Sequence, residues 1–221
     1  MKGHNSMELL YQDRHLWIAV KPADLLSEQT ADHSGFADLL AEENQGYVGV
    51  IHRLDRGVGG VMVYAKTPFA AAKLSASVQK RDMQKEYLAV VCGKPQKDHD
   101  TLRDLLFHDR NANKTYVVER ERKGVKEAIL DYTLLDRIET AEYGTLSLVK
   151  VHLHTGRTHQ IRVQFSSRGL PLLGDRKYGS QHKCPIALFS HSLAFPHPAS
   201  QKQLLSFEKQ PEGAPWEWFS K

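Results

Sequence analysis

The sequence predicts an α+β sheet domain, and three observations predict it. Short apolar or alternating runs, bounded by turn residues, recur along the whole chain and read as strands. Helical patterns are few and short, so strands mixed with a few helices favour a sheet-based α+β architecture. The 221 residues are 41% hydrophobic, which is enough for a sizeable core. No repeat, linker or low-complexity stretch interrupts them, so the length suits one domain or two closely packed halves.

In chain order, Glu8 to Val20 reads as two short strands around a polar turn, Gln12-Asp13-Arg14. Pro22 ends the second strand, because proline cannot continue a central strand. Gly35 to Glu43 has a short helical pattern, and Tyr47-Val48-Gly49-Val50-Ile51 and Val61-Met62-Val63-Tyr64-Ala65 read as buried strands. Thr67 is an N-cap with Pro68 at the first helical position, and Ala70 to Lys80 continues in helix formers. Glu86 to Val91 is a strand closed by Gly93 and Pro95. Lys97 to Arg122 is polar and poorly periodic, and reads as an excursion with one short strand at Thr115 to Val118. Ala128 to Ile138 and Thr145 to Leu153 form a hairpin turned near Glu142-Tyr143-Gly144. Its second strand puts Val149, Val151 and Leu153 on one face and Lys150, His152 and His154 on the other. Thr158 caps a helix from His159 to Arg168, stopped by Gly169, with His159 and Arg162 on one face. Ile186 to Phe195 and Leu204 to Phe207 are the last strands.

Between the strands around residues 50 and 62 lies His52-Arg53-Leu54-Asp55-Arg56, left through Gly57, Gly59 and Gly60. A strand, a tight loop and a strand result. One acid between two arginines is kept ionised by its neighbours. Taken alone, the pattern is also what a local turn held by ion pairs looks like.

From His52 to Thr67 the chain resembles the signature of the RluA-type pseudouridine synthases: H-R-L-D, a glycine, and an apolar strand ending in A-K-T. Lys85-Glu86-Tyr87-Leu88-Ala89 resembles that family's tyrosine motif. His154-Thr155-Gly156-Arg157-Thr158-His159-Gln160-Ile161-Arg162-Val163 resembles its arginine motif. Leu173-Gly174-Asp175, Tyr178-Gly179, His191-Ser192-Leu193 and Phe195-Pro196-His197-Pro198 resemble its C-terminal part. The likeness spans roughly Leu9 to Pro198, and spaced motifs in the right order are far more specific than any one of them.

The resemblance implies a large mixed, mostly antiparallel sheet with flanking helices and a central active-site cleft. It implies a single catalytic domain over residues 1–221, with its core at about 9–208; the separate N-terminal RNA-binding domain frequent in the family is not expected, because Leu9 already begins the catalytic pattern. The reaction is the isomerisation of a specific uridine to pseudouridine in structured RNA, ribosomal or transfer. An isomerisation needs no redox cofactor, nucleotide or metal. Asp55 is the catalytic carboxylate, acting as nucleophile at C1′ or as base at C2′. Arg162 is its partner in a bidentate pair. Tyr87 stacks on the base and helps move the C5 proton, although a tyrosine pKa of about 10 requires activation for that. Arg53 supports the flipped nucleotide or fills its vacated space in the RNA stack, and Arg56 and His52 accompany it, His52 more as a loop residue than a catalyst. Arg157, Thr158, His159, Gln160 and Lys150 are candidate RNA contacts, with amides at the Thr158 helix start suited to a phosphate. Besides that domain, the chain departs from the family's motifs in two places. Asp24 stands where a K-P-A-G sequence has glycine. Val58 and Gly59 stand where Thr-Ser is usual, which removes two hydroxyls beside Asp55.

Lys plus Arg is 30 and Asp plus Glu is 26, a formal charge of +4 that suits nucleic acid without requiring it. Cys92 and Cys184 lack Cys-x-x-Cys spacing and read as free thiols of a reducing compartment. No apolar run reaches membrane-spanning length, and Met1 to Ser6 lacks a signal-peptide core, so a cytoplasmic monomer is expected. Two rivals remain. His152, His154 and His159 suggest a zinc hydrolase, although no Glu takes the usual helical position. A non-catalytic RNA-binding relative is the other, with Val58-Gly59 as its hint.

Overall fold

The computed structural model describes residues 7–44, 46–200 and 202–220; the polar start Met1 to Ser6 lies outside them. The strands in chain order are β1 (Glu8–Gln12), β2 (Leu16–Lys21), β3 (Gly49–Val50), β4 (Gly59–Ala65), β5 (Gln84–Cys92) and β6 (His99–Asp109). They continue as β7 (Lys114–Val118), β8 (Val125–Thr140), β9 (Gly144–Leu153), β10 (Leu188–Pro196) and β11 (Leu204–Glu208). The helices are α1 (Phe36–Asn44), α2 (Pro68–Lys80) and α3 (Gln160–Ser166). The fold is therefore α+β, with a large and mostly antiparallel sheet. Among the described residues no helix is long and apolar enough to cross a membrane.

The backbone divides into two compact units. The first holds Met1–Lys85 and Ser190–Gln210. Its strands run β1-β2-β4-β10, with β11 on β10 and β3 on β4. Alternate residues of β2 and β4, namely Leu16, Ile18, Val61, Val63 and Ala65, pack with Leu193 and Phe195 of β10. Helix α2 covers this layer with Ala70 and Leu74, four residues apart and hence on one face. Its start follows the sequence reading: Ala70 N donates to Thr67 Oγ1 at 3.1 Å, and Pro68 opens the helix. The run from Tyr47 to Ile51 gives only the two-residue β3. Tyr47 is 46% exposed, so the run's first residues have no layer to enter.

The second unit holds Glu86–Phe189 and Pro211–Lys221, with strand order β5-β9-β8-β6-β7. Here the short strand expected at Thr115 to Val118 is present within β7, but the excursion expected around it at Lys97 to Arg122 is not. That segment forms the antiparallel pair β6 and β7, hydrogen-bonded to the rest through β8. The period of two is present, but polar residues stand at the inward positions and hide it. Leu102 and Leu106 are buried on that side, while Asp104 between them meets Gln164 Nε2 at 2.7 Å and the Arg168 guanidinium at 2.9 Å. His108, next in the series, meets Thr115 Oγ1 at 3.1 Å. The buried packing also runs past residue 208, because Phe219 joins Val90, Leu146, Leu173 and Ala187.

Candidate active site

Asp55 lies on the connection from β3 to β4, the strand–loop–strand geometry expected of its motif. A turn forms there, with Val58 N donating to Asp55 O at 2.9 Å. The hydroxyls missing at positions 58 and 59 are not what holds this loop. Ser27, 3% exposed, donates through Oγ to Leu54 O at 2.9 Å and accepts from Leu54 N at 3.0 Å. Val58 itself is a core residue, 2% exposed.

Lys21 is the residue that sequence reasoning passed over. It closes the apolar strand Leu16–Lys21 and is fully buried. Its Nζ donates to Pro22 O at 2.8 Å and Leu25 O at 2.6 Å, with a longer contact to Arg56 O at 3.4 Å. Burial lowers its pKa to about 8, opposed by the carboxylates of Asp24 and Asp55. The cation thus ties the turn after β2 to the carbonyl that follows Asp55. A lone charged residue ending an apolar run before proline was the available signal.

The flanking residues of the motif separate into surface and interior. Arg53 pairs with Glu28 at 2.7 Å, both well exposed, which is worth little to stability. Arg56 is exposed and donates through Nε to Asp24 O at 3.1 Å. Asp24 has φ +65°, so the position where the family has glycine is a left-handed one that aspartate also tolerates. His52 belongs to the interior: its Nε2 accepts from Val63 N at 3.3 Å. Burial, and then the charge of Lys85, push its pKa well below the ordinary histidine value. It is a neutral ring that fastens the loop to β4, which corrects its placement among the RNA contacts.

Gly60 shows how closely this loop is fitted. It has φ +124°, and a Cβ there would stand 2.3 Å from Ser190 O. Gly60→Ala is expected to cost at least about 2 kcal/mol, combining backbone strain with a clash against a fixed strand. Urea unfolding of the variant checks this; wild-type stability would show that the loop yields.

Arg162 sits on α3 in the second unit. Its Nε and Nη2 donate to the two carboxylate oxygens of Asp175, at 2.7 and 2.8 Å. Within this unit Arg162 thus holds Asp175, 2% exposed, in a bidentate pair.

The helix start also differs from expectation. The N-cap is His159, left-handed at φ 54°, without a side-chain cap, and the helix ends at Ser166. The reason is Gln160, 3% exposed. Its Oε1 accepts from Arg157 N at 3.0 Å and Thr155 Oγ1 at 2.8 Å, while Nε2 donates to Ile129 O at 3.1 Å. Gln160 staples the Thr-Gly-Arg turn to β8, so it is an interior residue and not an RNA contact. Gln160 N in turn donates to Arg157 O, and the expected phosphate cradle at Thr158 is not assembled. Thr158 is exposed and its carbonyl accepts from Thr115 Oγ1. Arg157 Nε donates to Glu127 O at 2.9 Å. His159 and Arg162 do share a face: both meet Tyr178, the first through Nδ1 at 2.8 Å, the second over the ring at 5.0 Å.

Tyr87 stands on β5 opposite Val151 of β9 and is 7% exposed. Lys150 is half-buried on β9, between Leu88 and Thr133 in register. The face it shares with His152 and His154 is less basic than its own strand suggests. Asp131 on β8 lies 2.6 Å from His154, and Glu86 on β5 lies 4.0 Å from His152. The three histidines of the zinc rival have three different partners, His159 turning to Tyr178. Cys92 and Cys184 are both free and half-buried, and burial raises both thiol pKa values.

Residues 15–167 match the family described as RNA pseudouridylate synthase, a span that contains Asp55, Tyr87 and Arg162. An uncharacterized RNA pseudouridine synthase of Aquifex aeolicus (strain VF5) is 31% identical over 228 residues, covering 93% of this chain and 70% of the relative. The ribosomal large subunit pseudouridine synthase D of Pseudomonas aeruginosa is 32% identical, covering 97% of this chain and 68% of its own. Among solved structures, human RNA pseudouridylate synthase domain containing 1 has the same fold, with a TM-score of 0.78 at 21% identity over 93% of this chain and 83% of that one. The chain therefore belongs to the RluA-type RNA pseudouridine synthases, enzymes that isomerise uridine to pseudouridine in RNA.

Proposed function

We propose that this enzyme modifies a specific uridine of structured ribosomal RNA, as a cytoplasmic monomer, with Asp55 as the reacting carboxylate. The observation that carries the assignment is the setting of Asp55. It lies on a loop whose backbone is held at Leu54 by buried Ser27, with the buried Lys21 ammonium 3.4 Å from Arg56 O, so a half-buried acid is held in place from below. Ribosomal RNA is favoured over transfer RNA by relatives named as ribosomal large subunit enzymes, at 32% identity in two bacteria.

In this reading Asp55 attacks C1′ or removes the C2′ proton, and in either case the N1–C1′ bond breaks. The freed uracil turns and C5 bonds to C1′, as the Asp55–C1′ bond breaks on the first route or Asp55 returns its proton to C2′ on the second; the C5 proton then leaves and N1 gains one. No electrons enter or leave, so the chemistry closes without a co-reactant. In this reading Arg162, whose Nε–Nη2 edge is taken by Asp175, is the cation that favours the ionised acid. Arg53 and Arg56, both exposed, face the nucleotide's surroundings, and Arg157 and Lys150 add positive charge for phosphates. Purified enzyme incubated with large-subunit ribosomal RNA and with transfer RNA tests the substrate. Pseudouridine formed in transfer RNA alone would overturn it.

Tyr87 is the third member. Tyr87→Phe keeps a ring for stacking and removes the hydroxyl. Turnover should fall on the order of 10²-fold or more while RNA affinity stays close to wild type, because a proton-transfer group is lost and a stacking surface is not. Wild-type turnover would limit Tyr87 to stacking.

A further inference from the structure

The segment Gly174-Asp175-Arg176-Lys177-Tyr178-Gly179 carries two side chains that converge on Arg162. A single helical turn, Arg176–Tyr178, separates them, and Tyr178 N donates to Asp175 O at 3.0 Å. Both flanking glycines are left-handed, φ +79° and +103°, and a Cβ on Gly174 would stand 2.3 Å from Pro185 O. Glycine is needed at the first position for close approach as well as for conformation. From this turn Asp175 grips one edge of the Arg162 guanidinium, and the Tyr178 ring lies against its face, 5.0 Å from centroid to carbon. Edge and face together fix a planar group in position and in tilt.

Tyr178 is itself anchored. It is 5% exposed, and its Oη accepts from Thr115 N at 2.7 Å. The same hydroxyl meets His159 Nδ1 at 2.8 Å. Thr115 is on β7, and the same strand is tied to the α3 entry through Thr115 Oγ1 and Thr158 O at 2.9 Å. Lys177 Nζ adds a bond to Asn113 O in the β6–β7 turn at 2.9 Å. The arginine's setting is therefore continuous with this hairpin.

We propose that Tyr178 is a positioning residue for Arg162, holding the guanidinium plane against Asp175 and tying it through Thr115 to the β6–β7 hairpin. The proposal rests on the reading of Arg162 as part of the reacting site. A purely structural tyrosine and a positioning one differ in what a rate constant reports. With enzyme in excess over RNA and saturating, lost folded protein does not change the single-turnover rate constant, whereas a displaced Arg162 does.

The experiment measures that constant, and RNA affinity, for Tyr178→Leu and Tyr178→Phe. Leucine removes ring face and hydroxyl, and the constant should fall on the order of 10²-fold, the scale of a misplaced group at a reacting centre. Affinity should change little. Phenylalanine keeps the ring and should lose less, which is the conservative rescue; it also carries the test if the leucine variant does not fold. Each change is then repeated in an Arg162→Met, Asp175→Asn background, which leaves no orphaned carboxylate. If Tyr178 acts through Arg162, neither substitution should lower the rate constant further there. Equal fractional losses in both backgrounds would overturn the proposal, as would weakened RNA affinity with an unchanged rate constant. If the Arg162→Met, Asp175→Asn background itself turns over like wild type, the role of Arg162 fails, and the positioning role goes with it.

Discussion

Asp55→Asn is expected to lower pseudouridine formation by about 10⁴-fold or more, the scale seen when an enzyme loses its nucleophile. The amide is nearly the size of the acid but can neither attack C1′ nor take a proton from C2′. Fold and RNA affinity should survive, for separate reasons. The loop backbone is held by Ser27 on Leu54, by Lys21 near Arg56 O, and by Val58 N on Asp55 O, and none of these uses the Asp55 carboxylate oxygens as acceptor. RNA affinity comes chiefly from phosphate contacts made elsewhere, and removing an anion lessens repulsion. Three measurements on one preparation suffice: single-turnover product, RNA affinity and thermal midpoint. An Asp55→Asn enzyme of wild-type rate would sink the mechanism. A variant that is inactive because it no longer binds RNA would move Asp55 from chemistry to binding.

What the sequence made legible was what local spacing encodes. The Thr67-Pro68 helix start follows from the chemistry of a cap, and Ala70 N duly bonds Thr67 Oγ1. The β8–β9 hairpin follows from two alternating runs around Glu142-Tyr143-Gly144, and its register closes at Thr140 opposite Gly144. The Asp55 loop follows from glycines between apolar runs. What stayed hidden depends on partners distant in sequence. Strand β6 was unreadable because Asp104 occupies an inward position that only Gln164 and Arg168 make tolerable. Gln160 resembled a helix-start residue facing solvent until Ile129 and Thr155 took its amide. Lys21 looked like the polar end of a strand, because no pattern of neighbours announces carbonyls arranged to receive a buried ammonium. Asp175 stands within the Leu173-Gly174-Asp175 motif, yet nothing in its spacing from Arg162 names the pair.

That pair sets the second large effect. Arg162→Met should destabilise the fold by about 3–5 kcal/mol, the range for removing one partner of a buried ion pair. The acid left behind is Asp175, 2% exposed, with its two oxygens aimed where Nε and Nη2 had been. Methionine matches much of the arginine stem, so the lost term is chiefly charge and two charge-assisted hydrogen bonds. Asp175→Asn in the same chain removes the orphaned charge, so the double variant should be more stable than Arg162→Met alone. The two costs should fall short of additive by 0.5–3 kcal/mol, roughly the coupling range for residues in contact. Activity should behave otherwise. If Arg162 serves the reacting carboxylate, restoring stability through Asp175→Asn will not restore pseudouridine formation, because the guanidinium is still absent. Urea unfolding and single-turnover product, measured on all three variants, separate the two roles. Additive stability losses would sink the Asp175 pairing as an energetic unit. Activity that returns with stability would reduce Arg162 to a structural residue and leave Asp55 to act without it.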